Sequence, residues 1–249
     1  MARRGSLTSH RRLPGSDLRT LLRPAIPTGS SPQVLADDLV PVLLASLLAG
    51  ARVVDLGCGR GDSVDLFRAA DPEVRWVGVD LEHSAEVAQR TREDAEFRTF
   101  DGRRLPFGDG EVDLVFCKQV LEHVERPHEL VADVARTLRP GGRFAGSTSH
   151  LEPYHSRSVG SWTPYGLQRL FLHAGLEPEL FVPGIDALTL LAWTVTRGRR
   201  LNRFWSRRSP LNALIDGAGR LLGWDAEDRN TVKLQFSGQF AFVARRPPP

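Results

Sequence analysis

At 249 residues and 27.6 kDa, the chain is long enough to bury one full α/β core. Its 41% hydrophobic and 25% charged residues exclude a disordered or fibrous bulk. The longest apolar stretch, residues 39–51, is broken by Pro41 and Ser46 and falls short of the roughly 18 residues a membrane span needs. The formal charge of +3 is unevenly spread. The first thirty residues carry Arg3, Arg4, Arg11, Arg12, Arg19 and Arg23 against Asp17 alone, and the run from Arg197 to Arg208 adds Arg199, Arg200, Arg203 and Arg207 with no acid. The rest of the body is therefore net acidic. Two cysteines, Cys58 and Cys117, are too few for a disulfide framework, and the N-terminal residues lack the unbroken apolar core of a secretory signal. A cytoplasmic protein is expected.

In chain order, Pro14, Pro24, Pro27 and Pro32 oppose a long helix, so residues 1–32 read as a basic, flexible arm. A single domain is expected over 33–246, with Pro247, Pro248 and Pro249 as a tail. Apolar residues on nearly every face predict a helix over 34–48, and a strand follows at 52–56. Strand-like runs at 74–79, 97–100, 112–117 and 143–147 then alternate with helix-like runs at 84–92 and 128–138, the signature of a parallel sheet. Pro140-Gly141-Gly142 marks a sharp break before the strand at 143. Thr163-Pro164 caps a helix whose Leu167, Leu170, Phe171 and Ala174 recur at helical spacing up to Gly175. Residues 179–182 predict a strand, 186–207 and 211–222 predict helices within an insertion spanning 185–230, and 232–244 predicts the last strand.

The most informative segment is Val53-Val54-Asp55-Leu56-Gly57-Cys58-Gly59-Arg60-Gly61-Asp62, a buried strand turning through three glycines into a helix. Glycine lets the backbone approach a ligand to van der Waals distance, and Asp55 stands just before the turn. A dinucleotide loop spaces its glycines G-x-G-x-x-G and docks a pyrophosphate at the helix start, where Asp62 would repel it. A ligand bearing an amino group and a sulfonium tolerates both carboxylates. Asp80 ends the strand Trp76-Val77-Gly78-Val79-Asp80, where a carboxylate can accept hydrogen bonds from both hydroxyls of a ribose.

These residues resemble the class I S-adenosylmethionine-dependent methyltransferases, in particular the branch of quinone-biosynthesis and small-molecule enzymes. The likeness spans residues 51–149. It includes Asp101-Gly102, Asp113-Leu114-Val115-Phe116-Cys117 and Val120-Leu121-Glu122-His123-Val124, in the family's order. It implies a Rossmann-like α/β fold with a seven-stranded, mostly parallel sheet of order 3-2-1-4-5-7-6, helices on both faces and an antiparallel last strand. It also implies S-adenosyl-L-methionine as cofactor: Gly57, Gly59 and Gly61 around the methionine portion, Asp55 facing its amino group, Asp80 on the ribose and Asp101-Gly102 at adenine. Cys58, Leu81, Cys117 and Gln119 complete the implied shell. The helical insertion has no counterpart in that pattern.

Methyl transfer needs alignment and exclusion of water, and a base only for an acceptor whose proton is hard to remove. His123, in the turn after the fourth strand, and His150, Tyr154 and His155, in the segment after the fifth, are the candidates for that base or for an acceptor anchor. His83, His128 and His173 read as surface or capping residues, and no spacing suggests a metal site. The Arg197–Arg208 run, with Trp193, Phe204 and Trp205 interleaved, reads first as a solvated helix face and otherwise as a contact for acidic lipid headgroups of a membrane surface, a phosphorylated acceptor or nucleic acid. The leading expectation is methylation of a small-molecule or lipid-like acceptor. The rivals are an RNA methyltransferase using the arginine clusters, disfavoured because no RNA-binding module accompanies them, and a noncatalytic cofactor-binding module.

Overall fold

The computed structural model describes residues 16–153, 155–198, 201–205 and 208–248. Seven strands form one sheet: β1 (Arg52–Leu56), β2 (Arg75–Leu81), β3 (Glu96–Phe100), β4 (Val112–Lys118), β5 (Leu138–Ser149), β6 (Glu177–Pro183) and β7 (Gln239–Arg245). Their order is 3-2-1-4-5-7-6, and only β7 runs against its neighbours. This is the expected Rossmann-like sheet.

Strands buried on both faces read as continuous apolar runs, and alternate side chains serve opposite layers. On one side, Val53, Leu114, Phe116 and Ala145 pack with Leu39, Val40 and Leu43 of α2 (Ala36–Ala45) and Phe67 of α3 (Val64–Ala70). On the other, Val54, Val115 and Phe144 meet Leu130 and Val134 of α4 (Pro127–Thr137) and Leu167 and Phe171 of α5 (Pro164–His173). Thr163 caps α5 as predicted, its hydroxyl accepting from Gly166 N at 3.0 Å. β5 begins earlier than expected, at Leu138, because Pro140-Gly141-Gly142 is absorbed as an irregularity in the pairing with β4 rather than breaking the chain.

Three expectations change. Residues 84–92 make only a short 3₁₀ turn at Val87–Gln89, since Ser84 Oγ accepts from Val87 N at 3.0 Å and the Arg90 side chain is drawn away to the β1 loop. The helix at 186–207 stops at Val195, giving α6 (Ala187–Val195), because Arg197 and Gly198 adopt positive φ. The last strand starts at Gln239, not 232. Asp225 and Asp228 form a reciprocal capping box at 2.8 and 3.2 Å, which starts α8 (Ala226–Gln235) and extends the insertion past 230. The insertion also holds α7 (Pro210–Leu221). Asp186 is wholly buried and joins the two leading helices, accepting from Thr189 N at 2.7 Å in α6 and from Leu211 N at 3.2 Å in α7.

The N-terminal segment is also corrected where it is described. Residues 16–22 form α1 (Ser16–Leu22), and the following chain lies along the outer edge of β6, with Phe181 N donating to Ala25 O at 2.8 Å and Val34 N to Pro183 O at 3.0 Å. Proline did not exclude docking, because Leu22, Ala25 and Ile26 are buried and an otherwise open sheet edge is covered. Arg19 binds Asp225 at 2.9 Å, Glu227 at 2.7 Å and also Asp228, while Arg23 Nε reaches Glu227 at 2.6 Å. Hydrogen bonds from Arg23 and, after the opposing effect of burial, from Arg19 lower Glu227 from 4.5 to about 2. A depressed carboxylate stabilises the fold above its ordinary range and loses that contribution as pH falls through its folded value. Arg19→Ala is expected to destabilise the protein by about 2 kcal/mol at neutral pH, a buried pair discounted for the guanidinium's partial exposure. Thermal melts of wild type and variant should converge as pH falls from about 4.5 towards 2.

Candidate functional site

At the carboxyl ends of β1, β2 and β4, the glycine loop frames a cavity of ≈ 580 Å³. Gly57 N donates to Val79 O at 2.7 Å, which ties the start of the turn to β2. Gly57 has φ +74°, and a Cβ there would stand 2.3 Å from Val120 Cγ2, so only glycine fits. Asp80 holds the loop from the next strand: Oδ2 accepts from Gly59 N at 2.7 Å and Oδ1 from Leu81 N at 2.8 Å. Each oxygen keeps a further acceptor lone pair. Asp101 accepts from the backbone N–H groups of Arg104 at 2.7 Å and Arg103 at 2.9 Å, which lowers its pKa and fixes the turn around Gly102.

Of the candidate site residues singled out from sequence, Gly57, Gly59, Asp80, Leu81, Asp101, Gly102, Gln119 and His123 line this cavity, and so does His83, read from sequence only as a surface or capping residue. Asp55, Cys58, Gly61 and Cys117 stand behind its wall. Gly61 supports the loop from below, its missing side chain leaving room for the Phe97 ring. Sequence reasoning missed Arg90, which donates to Gly59 O at 2.9 and 2.6 Å and stacks on Phe97 at 3.9 Å. It also missed Ser84 and Glu86 on the cavity wall, whereas Ser156 and Arg157 belong to the segment after β5 expected to form the acceptor wall. An arginine thirty residues downstream carries no spacing signal for such a contact.

Residues 54–146 match the family model of a methyltransferase domain. A Mycolicibacterium smegmatis protein described as a probable S-adenosylmethionine-dependent methyltransferase is 33% identical over 154 residues, covering 57% of this chain and 58% of that one. The 27-O-demethylrifamycin SV methyltransferase of Amycolatopsis mediterranei is 28% identical over 180 residues, covering 64% and 65%. The chain thus spans less than two thirds of the length of these curated relatives. An S-adenosylmethionine-dependent methyltransferase from Mesorhizobium loti shares the fold at TM-score 0.53 and 19% identity, covering 85% of this chain and 98% of that one. The matched segment, residues 54–146, is a methyltransferase domain.

In this methyltransferase domain the turn after β4 is anchored by Glu122, which is wholly buried. Its carboxylate accepts from Thr148 Oγ1 and Ser149 Oγ, each at 3.0 Å. Gln119, at φ +55°, completes the network when its amide nitrogen donates to Glu122 Oε1 at 2.8 Å and its oxygen accepts from Ser147 Oγ at 3.0 Å. This presents His123 to the cavity, with the His155 ring edge-on to it at 5.3 Å and Glu152 Oε1 3.6 Å behind His155 Nδ1. Glu122, His123 and His155 offer ligand atoms within 4.8 Å of one another, a cluster that sequence spacing gave no hint of, although Glu122 is already engaged by two hydroxyls. His150 does not reach the cavity: it is held among the backbone groups of Gln235 and Trp162, and burial lowers its pKa. Tyr154 lies outside the described residues.

Burial pushes the Cys58 thiol up to about 12, with the neighbouring Asp55 charge adding to the rise, and raises Cys117 as well, so neither is a poised nucleophile. Asp55 is pushed from 3.8 up to about 7 by burial, against the lowering effect of the Ser63 hydroxyl that donates to it. Its folded value lies above the unfolded one, so ionisation opposes folding. The cost is absent below about pH 4 and grows as pH rises towards about 7. Asp55→Asn is therefore expected to melt above wild type at pH 8 and with it at pH 4, as differential scanning calorimetry of the ligand-free protein would reveal.

Proposed function

We propose that the chain binds S-adenosyl-L-methionine and transfers its methyl group to a small-molecule or lipid-like acceptor. The observation that carries this reading is that one cavity is lined both by Gly57, Asp80 and Asp101 and by His123, Ser156 and Arg157. Donor and acceptor can then lie in a single enclosure. Asp80 would accept from the ribose hydroxyls and the Gly57–Gly59 backbone would flank the methionine portion, with the ionised Asp55 favouring its ammonium group through the loop. The small-molecule substrate named for the Amycolatopsis relative supports the acceptor class.

The chemistry is an in-line displacement. A lone pair of the acceptor attacks the methyl carbon, the carbon–sulfur bond breaks, and its electrons remain on sulfur as a neutral thioether. Where the acceptor is a hydroxyl, its proton passes to His123, the imidazole facing the cavity, with His155 and Glu152 behind it. An RNA acceptor is less well supported, because Arg19 and Arg23 are engaged with carboxylates of the insertion and are not free to meet phosphates.

Calorimetry with the methyl donor and radiolabel transfer to fractionated small-molecule extract test the two halves. Asp80→Ala is expected to weaken donor binding at least tenfold, the loss of a ribose anchor and of the loop clamp together. His123→Ala is expected to lower kcat about 100-fold on a hydroxyl acceptor while leaving donor affinity unchanged. No heat with the donor or with its demethylated product would overturn the reading; donor binding without transfer to any acceptor would favour the noncatalytic module.

A further inference from the structure

We infer that α6 and α7 of the helical insertion form a docking surface for an anionic lipid bilayer. The two helices pack against each other, and each turns an apolar stripe to solvent. In α6, Leu188, Leu191 and Val195 are exposed at i, i+3 and i+7, and Val195 is 76% exposed; the buried positions are Thr189 and Leu190. In α7, Asn212 and Asp216 are buried beside Ile215, Asn212 Nδ2 donating to Gly184 O at 3.0 Å and Asp216 pairing with Lys233 Nζ at 3.2 Å, while Leu214, Leu221 and the adjoining Leu222 are exposed, Leu221 by 90%. A helix that buries its polar groups and offers leucines to water is built to be covered.

Charge identifies what covers it. Arg197, Arg203 and Arg220 are exposed beside these stripes, Arg208 is exposed but paired with Asp216 at 3.5 Å, and the connection between α6 and α7 contains no acid. Trp193 and Trp205 meet edge-on at 5.6 Å, half-buried, as amphipathic rings sit at a headgroup boundary. At 9 and 12 residues, α6 and α7 are too short to span a bilayer and suit lying within its surface. A second copy of this chain would bring arginine against arginine across a two-fold contact. Nucleic acid would meet the arginines but has nothing to place against aliphatic leucines. Because the insertion leaves the sheet at the carboxyl end of β6, the edge that also carries the cavity, a bound membrane would lie on the side from which a lipophilic acceptor arrives. The docking itself does not depend on the identity of that acceptor.

Vesicle flotation with the full chain tests this, using phosphatidylcholine vesicles with and without phosphatidylglycerol. Wild type should float with the anionic vesicles only. Leu191→Asp/Val195→Asp should weaken flotation at least about thirtyfold, from the lost apolar burial. Arg203→Glu/Arg220→Glu should cost roughly fivefold per arginine and flatten the dependence on salt. Donor binding by calorimetry, made through residues remote from these positions, should be unchanged in both variants and reports that they are folded. Absence of flotation by the wild type, or flotation indifferent to the apolar substitutions, overturns the assignment. So does a concentration-dependent dimer that Leu191→Asp/Val195→Asp dissolves, or RNA retention by a chain that does not float.

Discussion

The cavity depends on how closely the backbone at the exit of β1 approaches its neighbours. Gly57 lies against Val120 with no room for a Cβ, and Gly59 N is held by the Asp80 carboxylate at 2.7 Å. One contact reaches across to β4 and the other to β2, so the loop is stretched over the ends of three parallel strands. Ligands in open α/β sheets bind at this edge because the strands end there and the connections diverge. Here Asp80 serves both the loop and the cavity, which couples the shape of the enclosure to the carboxylate that ends β2.

Buried polar groups are arranged around that loop with different consequences. Glu122 is wholly buried yet receives hydroxyl hydrogen bonds from β5, so it acts as a peg that orients the turn bearing His123. Asp55 is buried with the Ser63 hydroxyl as its main side-chain partner, and its ionisation opposes folding near neutral pH. Cys58 and Cys117 beside it are suppressed as nucleophiles by the same burial.

The far side of the sheet follows a different logic. β7 lies between β5 and β6, and the insertion occupies the edge where β6 ends, so the chain can re-enter only from that edge and must run antiparallel. Gly184 N to Gln239 O at 2.9 Å and Gly238 N to Ile185 O at 2.8 Å close the neck of the insertion. The N-terminal segment then covers the open edge of β6 and locks onto α8 through Arg19 and Arg23. Where it is described, its basic residues Arg19 and Arg23 are thus engaged by carboxylates of the fold.

Local sequence determined the alternating elements, the glycine loop and Asp80, because each rests on short-range rules: strand periodicity, the conformational freedom of glycine, a proline after a capping threonine. The order of the sheet was legible only through resemblance to a family, since no local signal encodes which strand pairs with which. Tertiary structure alone decided the rest. It sent Arg90 to Gly59 O, brought Glu122, His123 and His155 together, and turned His150 away into backbone contacts, because a histidine's position in sequence says nothing about the direction of its ring. It also docked residues 16–32, where long-range burial of Leu22 and Ile26 and pairing with carboxylates about two hundred residues away outweighed local propensity, whereas the helix at 226–235 rests on a local signal, the Asp225–Asp228 capping box.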